Sequence, residues 1–174
     1  MYEEIRRVFN LQQAKWPQLA RLEASERIER LVRIDNYLRD EKNLSELCQA
    51  MHKDFHKPEV EVIATEVGVV QAQISHVKKH LQRWMKPRRV PTPLPLIGTR
   101  SHIRYEPRGV VLIISPWNFP LNLSLVPLVY AIAAGNAVML KPSEISAHTS
   151  SFIKRMIDEL FEESEFRHRM SLNP

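Results

Sequence analysis

Residues 107–144, PRGVVLIISPWNFPLNLSLVPLVYAIAAGNAVMLKPSE, constrain the fold more than any other part of the chain. VVLIIS (110–115) and AVMLK (137–141) are short apolar, β-branched runs, and the segment between them has the length and composition of one helix. The stretch therefore reads strand, loop, helix, strand, loop. Pro116 and Pro120 stop the first strand and hold its loop extended, so that Trp117 and Asn118 are presented between rigid points. Asn122 or Ser124 is the expected cap of the helix, and Gly135-Asn136 its C-terminal stop. A crossover helix between two apolar strands predicts parallel pairing with a right-handed connection.

Parallel pairing has a functional consequence. Ligands of open parallel sheets bind beyond the carboxyl ends of the strands, and both polar loops, SPWN (115–118) and KPSE (141–144), fall at such ends. Neighbouring strands are about 4.8 Å apart, so the two loops converge on one edge of the sheet. One loop offers the Asn118 amide, and the other the Lys141 cation and the Glu144 carboxylate. Taken singly, Trp117 packs, Asn118 turns the chain and Lys141 is solvated; taken together they read as a site.

The segment YEPRGVVLIISPWNFPLNLSLVPLVYAIAAGNAVMLKPSE (105–144) closely resembles the aldehyde dehydrogenase superfamily, most of all its class 3 and fatty-aldehyde branch. The resemblance of helical pattern and linker extends it to residues 3–163. It implies an α/β fold in which N-terminal helices lead into the start of a doubly wound, Rossmann-like parallel sheet. It also implies NAD(P)-dependent oxidation of aldehydes to carboxylic acids. By the same resemblance Lys141 and Glu144 match the residues that hold the adenosine ribose of NAD or NADP. Ser115 and Trp117 match the wall along the cofactor. Asn118 matches the amide that donates to the oxyanion formed when a catalytic cysteine attacks the aldehyde. The chemistry agrees, since a fixed neutral donor stabilises developing negative charge without acting as an acid or base. A carboxylate likewise accepts from ribose hydroxyls in other dinucleotide sites.

The rest of the chain fits a soluble globular protein, with 44% apolar and 26% charged residues over 174 positions. The net charge of +5 is spread along helices carrying both signs, and no basic-aromatic module points to nucleic acid. No run approaches the ~20 apolar residues of a membrane span, and MYEEIRRVFN has no apolar signal core, so a cytoplasmic location is expected. The single cysteine, Cys48, excludes an internal disulfide.

The first half reads as helical. One helix covers residues 3–15 and ends at Trp16-Pro17; a second covers 25–39, with Ala24, Ile28, Leu31 and Leu38 on one face and arginines and acids on the other. A third opens at Asn43 or Ser45 and carries Leu44, Leu47, Cys48 and Met51, which makes Cys48 a small buried hydrophobe rather than a nucleophile. Residues 59–85 form the longest, with Ile63, Val67, Val70, Ile74, Val77, Leu81 and Trp84 as an unbroken seam for an intramolecular bundle. His76 and His80 share a helix face but lack a third ligand, so no metal is expected. Ser146 is the expected cap of a last helix bearing Phe152, Ile153, Met156, Ile157 and Leu160.

These elements divide the chain into a helical part (1–87), a linker and oligomerisation strand (88–106), an incomplete dinucleotide-binding βαβα unit (107–165) and an atypical tail (166–174). Residues 99–105 read as an edge strand or half a hairpin, and in the resembling family this region serves dimerisation. Ile103 and Tyr105 are thus candidate interface residues, in a homodimer or with a full-length relative. The tail, FRHRMSLNP, is polar and basic where the family pattern would deliver a third parallel strand, which reads as a truncation or a reading-frame change. In family order the cysteine nucleophile, the general base and the rest of the nicotinamide pocket follow residue 163. Gly68, Gly98, Gly109 and Gly135 form no paired pyrophosphate loop, so the cofactor pocket is incomplete here. The expectation is an aldehyde dehydrogenase family oxidoreductase, inactive alone, whose complete form takes a small-molecule aldehyde. The alternative is a catalytically silent fragment that dimerises with a complete relative.

Overall fold

The computed structural model describes residues 2–168. Three helices come first, α1 (Tyr2–Ala20), α2 (Ala24–Arg39) and α3 (Glu41–Phe55). The single turn α4 (Glu59–Glu61) then runs through a π-helical segment, Val62–Val67, into α5 (Gly68–Trp84). The strands β1 (Arg88–Val90) and β2 (Ser101–Ile103) pair antiparallel, completing the hairpin of which residues 99–105 were expected to form half. Next come β3 (Val110–Ile114), α6 (Asn122–Ala134), β4 (Ala137–Lys141), α7 (Ala147–Leu160) and β5 (Phe166–His168). The order β3-β4-β5 is parallel throughout, with Val110 opposite Ala137 and Val138 opposite Phe166. The fold is the expected α/β one, helices leading into a small parallel sheet.

The core forms where α5 lies against α2 and α6. Val70, Ile74, Val77 and Leu81 are buried in one cluster with Leu31, Ile34 and Leu38 of α2 and Leu125, Leu128 and Ile132 of α6. This is the intramolecular bundle the helical period predicts. Cys48 packs half-buried against the same cluster, and burial, with the Glu59 charge, pushes its thiol up from the ordinary value. At the far end of α6, Gly135 takes a left-handed conformation (φ 85°) and stops the helix as expected. Asn136 then accepts from the Arg108 and Gly109 backbone N–H groups through Oδ1, at 2.7 and 3.0 Å, joining the start of β3 to the start of β4.

Several local expectations are corrected. The first helix continues through Trp16-Pro17 to Ala20; Pro17 and Gln13, whose carbonyl loses its donor, are both exposed, so the carbonyl is open to solvent and the break is cheap. The third helix opens at Asp40, whose carboxylate accepts from Asn43 N at 3.0 Å. Arg27 is not on a solvated face. It is buried between two helix ends, where it donates to the carbonyls of Leu22, Ala133 and Ala20 at 2.9, 2.9 and 2.8 Å. The apolar seam of residues 59–85 is interrupted as well: the π turn adds one residue, so Val62 rather than Ile63 is buried and Glu66 enters the core.

The start of the tail also differs from expectation. Residues 166–168 form the third parallel strand, because pairing is a backbone matter that polar side chains do not forbid. Val138 N donates to Glu165 O at 3.0 Å, and Phe166 packs edge-on against Phe161. The Glu165 carboxylate takes both Arg30 guanidinium nitrogens at 2.8 Å, tying this strand to α2. Residues 169–174 of the expected tail lie outside the described residues.

Candidate functional site

The two polar loops do meet at the carboxyl edge of the sheet. Ser115 N donates to Lys141 O at 3.0 Å, so the loops leave β3 and β4 side by side. Beyond β4, Lys141 forms an ion pair with Glu144, and the ammonium holds the Glu144 carboxyl below its ordinary value. Glu144 is placed by a 3-10 turn, Glu144–Ser146, whose first N–H groups are met by Ser143: its Oγ accepts from Ile145 N at 3.2 Å. The Ser146 and Ser150 hydroxyls donate to Ser143 O, fixing the turn from below.

On the β3 side, Trp117 is half exposed and lies 6.2 Å from Phe55, ring centre to ring centre. Asn118 is exposed. Ser115 is buried, and its hydroxyl has no hydrogen-bond partner among the described residues. The arrangement thus places a neutral amide, an aromatic face, an unpaired hydroxyl and a paired cation and carboxylate along one strand edge.

The helices behind the loops start differently from the sequence reading. Neither Asn122 nor Ser124 caps α6: Glu66 Oε2 accepts from Asn122 N at 2.9 Å, while the Asn122 amide donates to Thr65 O at 3.2 Å. Nor does Ser146 cap α7. Asp54 Oδ1 accepts from His148 N at 3.1 Å, and Oδ2 from Thr149 N and Oγ1, each at 2.8 Å; His148 Nδ1 also lies 2.8 Å from Oδ1. A carboxylate at a helix start satisfies orphan N–H groups and complements the helix dipole. Both carboxylates come from the helical part of the chain, which thereby braces both loops from behind. Lys57, Glu66 and Asp54 were not singled out from sequence. The one signal available was an acid inside an otherwise apolar seam, Glu66.

Burial pushes the Asp54 carboxyl up, but donation from Thr149 N, the His148 ring, the Thr149 hydroxyl and His148 N outweighs it and holds the pKa below the ordinary value. Its stabilising contribution is therefore full above the unfolded pKa of about 3.9 and is lost as the pH falls through the lower folded value. Asp54→Asn is expected to destabilise the chain by about 1–3 kcal/mol at neutral pH. That difference should close in strong acid, as read from urea midpoints across a pH series; a constant gap would refute it.

Elsewhere the chemistry is sparser. Cavities of about 540 and 410 Å³ open beside the segment that joins β2 to β3, but both are lined by Arg27, whose donors are already committed to carbonyls. His80 stacks on Trp84 and turns Nδ1 to the His76 carbonyl at 2.8 Å. Among the described residues no group of three or more His, Cys, Asp or Glu gathers as a metal site requires. Among the described residues, too, no helix is long and apolar enough to cross a membrane.

Comparison with known proteins identifies the family of the chain. Residues 2–165 match the sequence profile described as "Aldehyde dehydrogenase family". The chain is 40% identical over 154 residues to the 4,4'-diaponeurosporen-aldehyde dehydrogenase of Staphylococcus aureus, covering 88% of this chain and 32% of that protein. It is 42% identical over 133 residues to human aldehyde dehydrogenase family 3 member B1, covering 76% of this chain and 28% of that one. The solved structure titled "Substrate bound state of Staphylococcus Aureus AldH" superposes with a TM-score of 0.87 at 36% identity, over 94% of this chain and 35% of that chain. The chain thus spans about a third of the length of the relatives it matches. With the profile covering nearly every described residue, the chain belongs to the aldehyde dehydrogenase family.

Proposed function

We propose that residues 115–118 and 141–144 form part of the site of an NAD(P)-dependent aldehyde dehydrogenase, an enzyme that oxidises a small-molecule aldehyde to a carboxylic acid. The observation that carries this is the convergence of the two loops, sealed by the bond from Ser115 N to Lys141 O across the parallel β3–β4 pair. The residues present fit a dinucleotide. Among the described residues the buried Ser115 hydroxyl has no partner, as a ligand-binding group would. Lys141 supplies ammonium donors to ribose hydroxyls, Glu144 supplies acceptors, and the exposed face of Trp117 supplies a wall. When bound, the nicotinamide would supply a hydride acceptor. Asn118 would donate to the substrate oxygen as negative charge develops on it.

The test is a full-length hybrid in which residues 1–165 replace the matching portion of the S. aureus relative. Lys141→Ala is expected to weaken NAD binding by roughly ten- to a hundredfold, the loss of a charged hydrogen bond. Unchanged affinity by titration calorimetry would return Lys141 to a solvated surface role.

The 174 residues as an isolated polypeptide are a different matter. Their one thiol, Cys48, is packed against the helical core with its pKa raised, which disfavours the thiolate that attack on a carbonyl needs. No rise in NADH or NADPH absorbance is expected with aliphatic or aromatic aldehydes, and Cys48→Ser should change nothing. Cys48-dependent turnover would overturn this assignment. A second reading, a pairing surface for another copy or a longer relative, is supported by the exposed side chains of Leu94, Ile97 and Tyr105 around the β1–β2 hairpin.

A further inference from the structure

The ion pair of Lys57 and Glu66 does more than the fold requires. Glu66 is wholly buried and the Lys57 side chain nearly so. The π-helical segment puts Glu66 there, since its extra residue turns the position after Thr65 toward the core. Glu66 divides its oxygens: Oε2 accepts from Asn122 N at 2.9 Å and Oε1 from Lys57 Nζ at 2.6 Å. Lys57 Nζ in turn lies 3.4 Å from the Asn118 carbonyl, as a donor to it, and 4.3 Å from the centre of the Phe119 ring. Capping α6 needs only the carboxylate. A buried ion pair is also a poor source of stability compared with apolar side chains of the same volume. What the lysine adds is a hold on the peptide that joins Asn118 to Phe119.

We infer that the Lys57–Glu66 pair is a positioning device that fixes this peptide, and with it the direction in which the Asn118 amide points at the strand edge. The inference rests on the proposed role of Asn118. Its loop is pinned at three places: Ser115 N on Lys141 O, Asn118 O on Lys57 Nζ, and Leu123 N on Phe119 O at 2.9 Å. Among the hydrogen bonds of the described residues, the first and third hold the ends and the second holds the middle, where Trp117 also lies against Phe55. The Asn118 side chain is exposed, so its aim depends on the backbone that carries it. A neutral donor is effective only if it is aimed at the developing charge before the reaction begins.

Two substitutions separate positioning from capping. Lys57→Met removes the ammonium and keeps the stem, while Glu66→Gln keeps an acceptor for Asn122 N and loosens the hold on Lys57. In the 174-residue chain, hydrogen exchange of the peptide covering residues 116–121 is expected to rise about tenfold in both variants, with α2 and α5 unchanged. In the full-length hybrid assayed with hexanal and NAD, both should lower kcat roughly ten- to a hundredfold and leave the KM for NAD unmoved. Lys57→Arg should recover most of both losses. If Asn118→Ala slows the hybrid but Lys57→Met and Glu66→Gln do not, the positioning role is overturned and the role of Asn118 stands. If Asn118→Ala is harmless, the oxyanion role falls, and the tether is judged by exchange alone: unchanged protection of residues 116–121 overturns it.

Discussion

Gly135→Ala is expected to lower the stability of the chain by about 3–4 kcal/mol, more than any surface substitution. Two costs add. Gly135 is left-handed, at φ 85°, where an L residue pays about 1–2 kcal/mol. A Cβ there would also lie 2.9 Å from Arg27 Cζ and Nη2 and 3.0 Å from Nη1. A free arginine end would swing aside. This one is tied to the carbonyls at the ends of α1 and α6, so moving it breaks charge-assisted bonds worth about 1.5–3 kcal/mol. In an Arg27→Met background the same glycine substitution should cost only the backbone part, about 1–2 kcal/mol. Urea unfolding of the four proteins in this cycle measures the difference. A loss of only about 1–2 kcal/mol in the Arg27 protein, equal to that in the Arg27→Met background, would show that the guanidinium gives way.

Asn118→Ala in the full-length hybrid should reduce turnover by about a hundred- to a thousandfold while sparing NAD affinity. The amide is uncharged and exposed, so removing it leaves no buried group stranded and should not disturb the fold. Any large effect must then come from the transition state. Asn118→Asp should be worse still, because a carboxylate would face the negative charge the amide serves. Equal kcat in Asn118→Ala and the parent would remove Asn118 from the site and leave Trp117, Lys141 and Glu144 as a binding surface only.

What the sequence makes legible is what is decided locally. The β3–α6–β4 unit follows from two short apolar runs, two prolines and a Gly-Asn stop, and its parallel register brings the loops together as that pattern implies. What stays hidden is decided at a distance. Local rules place a cap among a helix's own first residues, and so point to Asn122 and Ser146. The actual acceptors, Glu66 and Asp54, lie 56 and 94 positions upstream of residues they cap. The π turn is hidden for a related reason, since shifting the seam from Ile63 to Val62 exchanges one apolar residue for another and leaves the period looking intact. Phe166 starts a strand although a basic sequence follows it, because β4 offers a backbone edge that no local pattern can announce.

The two remote carboxylates also bear on the order in which the chain assembles. A chain emerges from synthesis N-terminal end first, and its domains generally fold as units. Asp54 and Glu66 therefore emerge before α6 and α7, on helices that can form from local contacts. The later helices begin with N–H groups, those of Asn122, His148 and Thr149, that these acceptors satisfy. Each can wind early but is completed only on docking, which makes the helical part a mould against which the two site-bearing loops are cast.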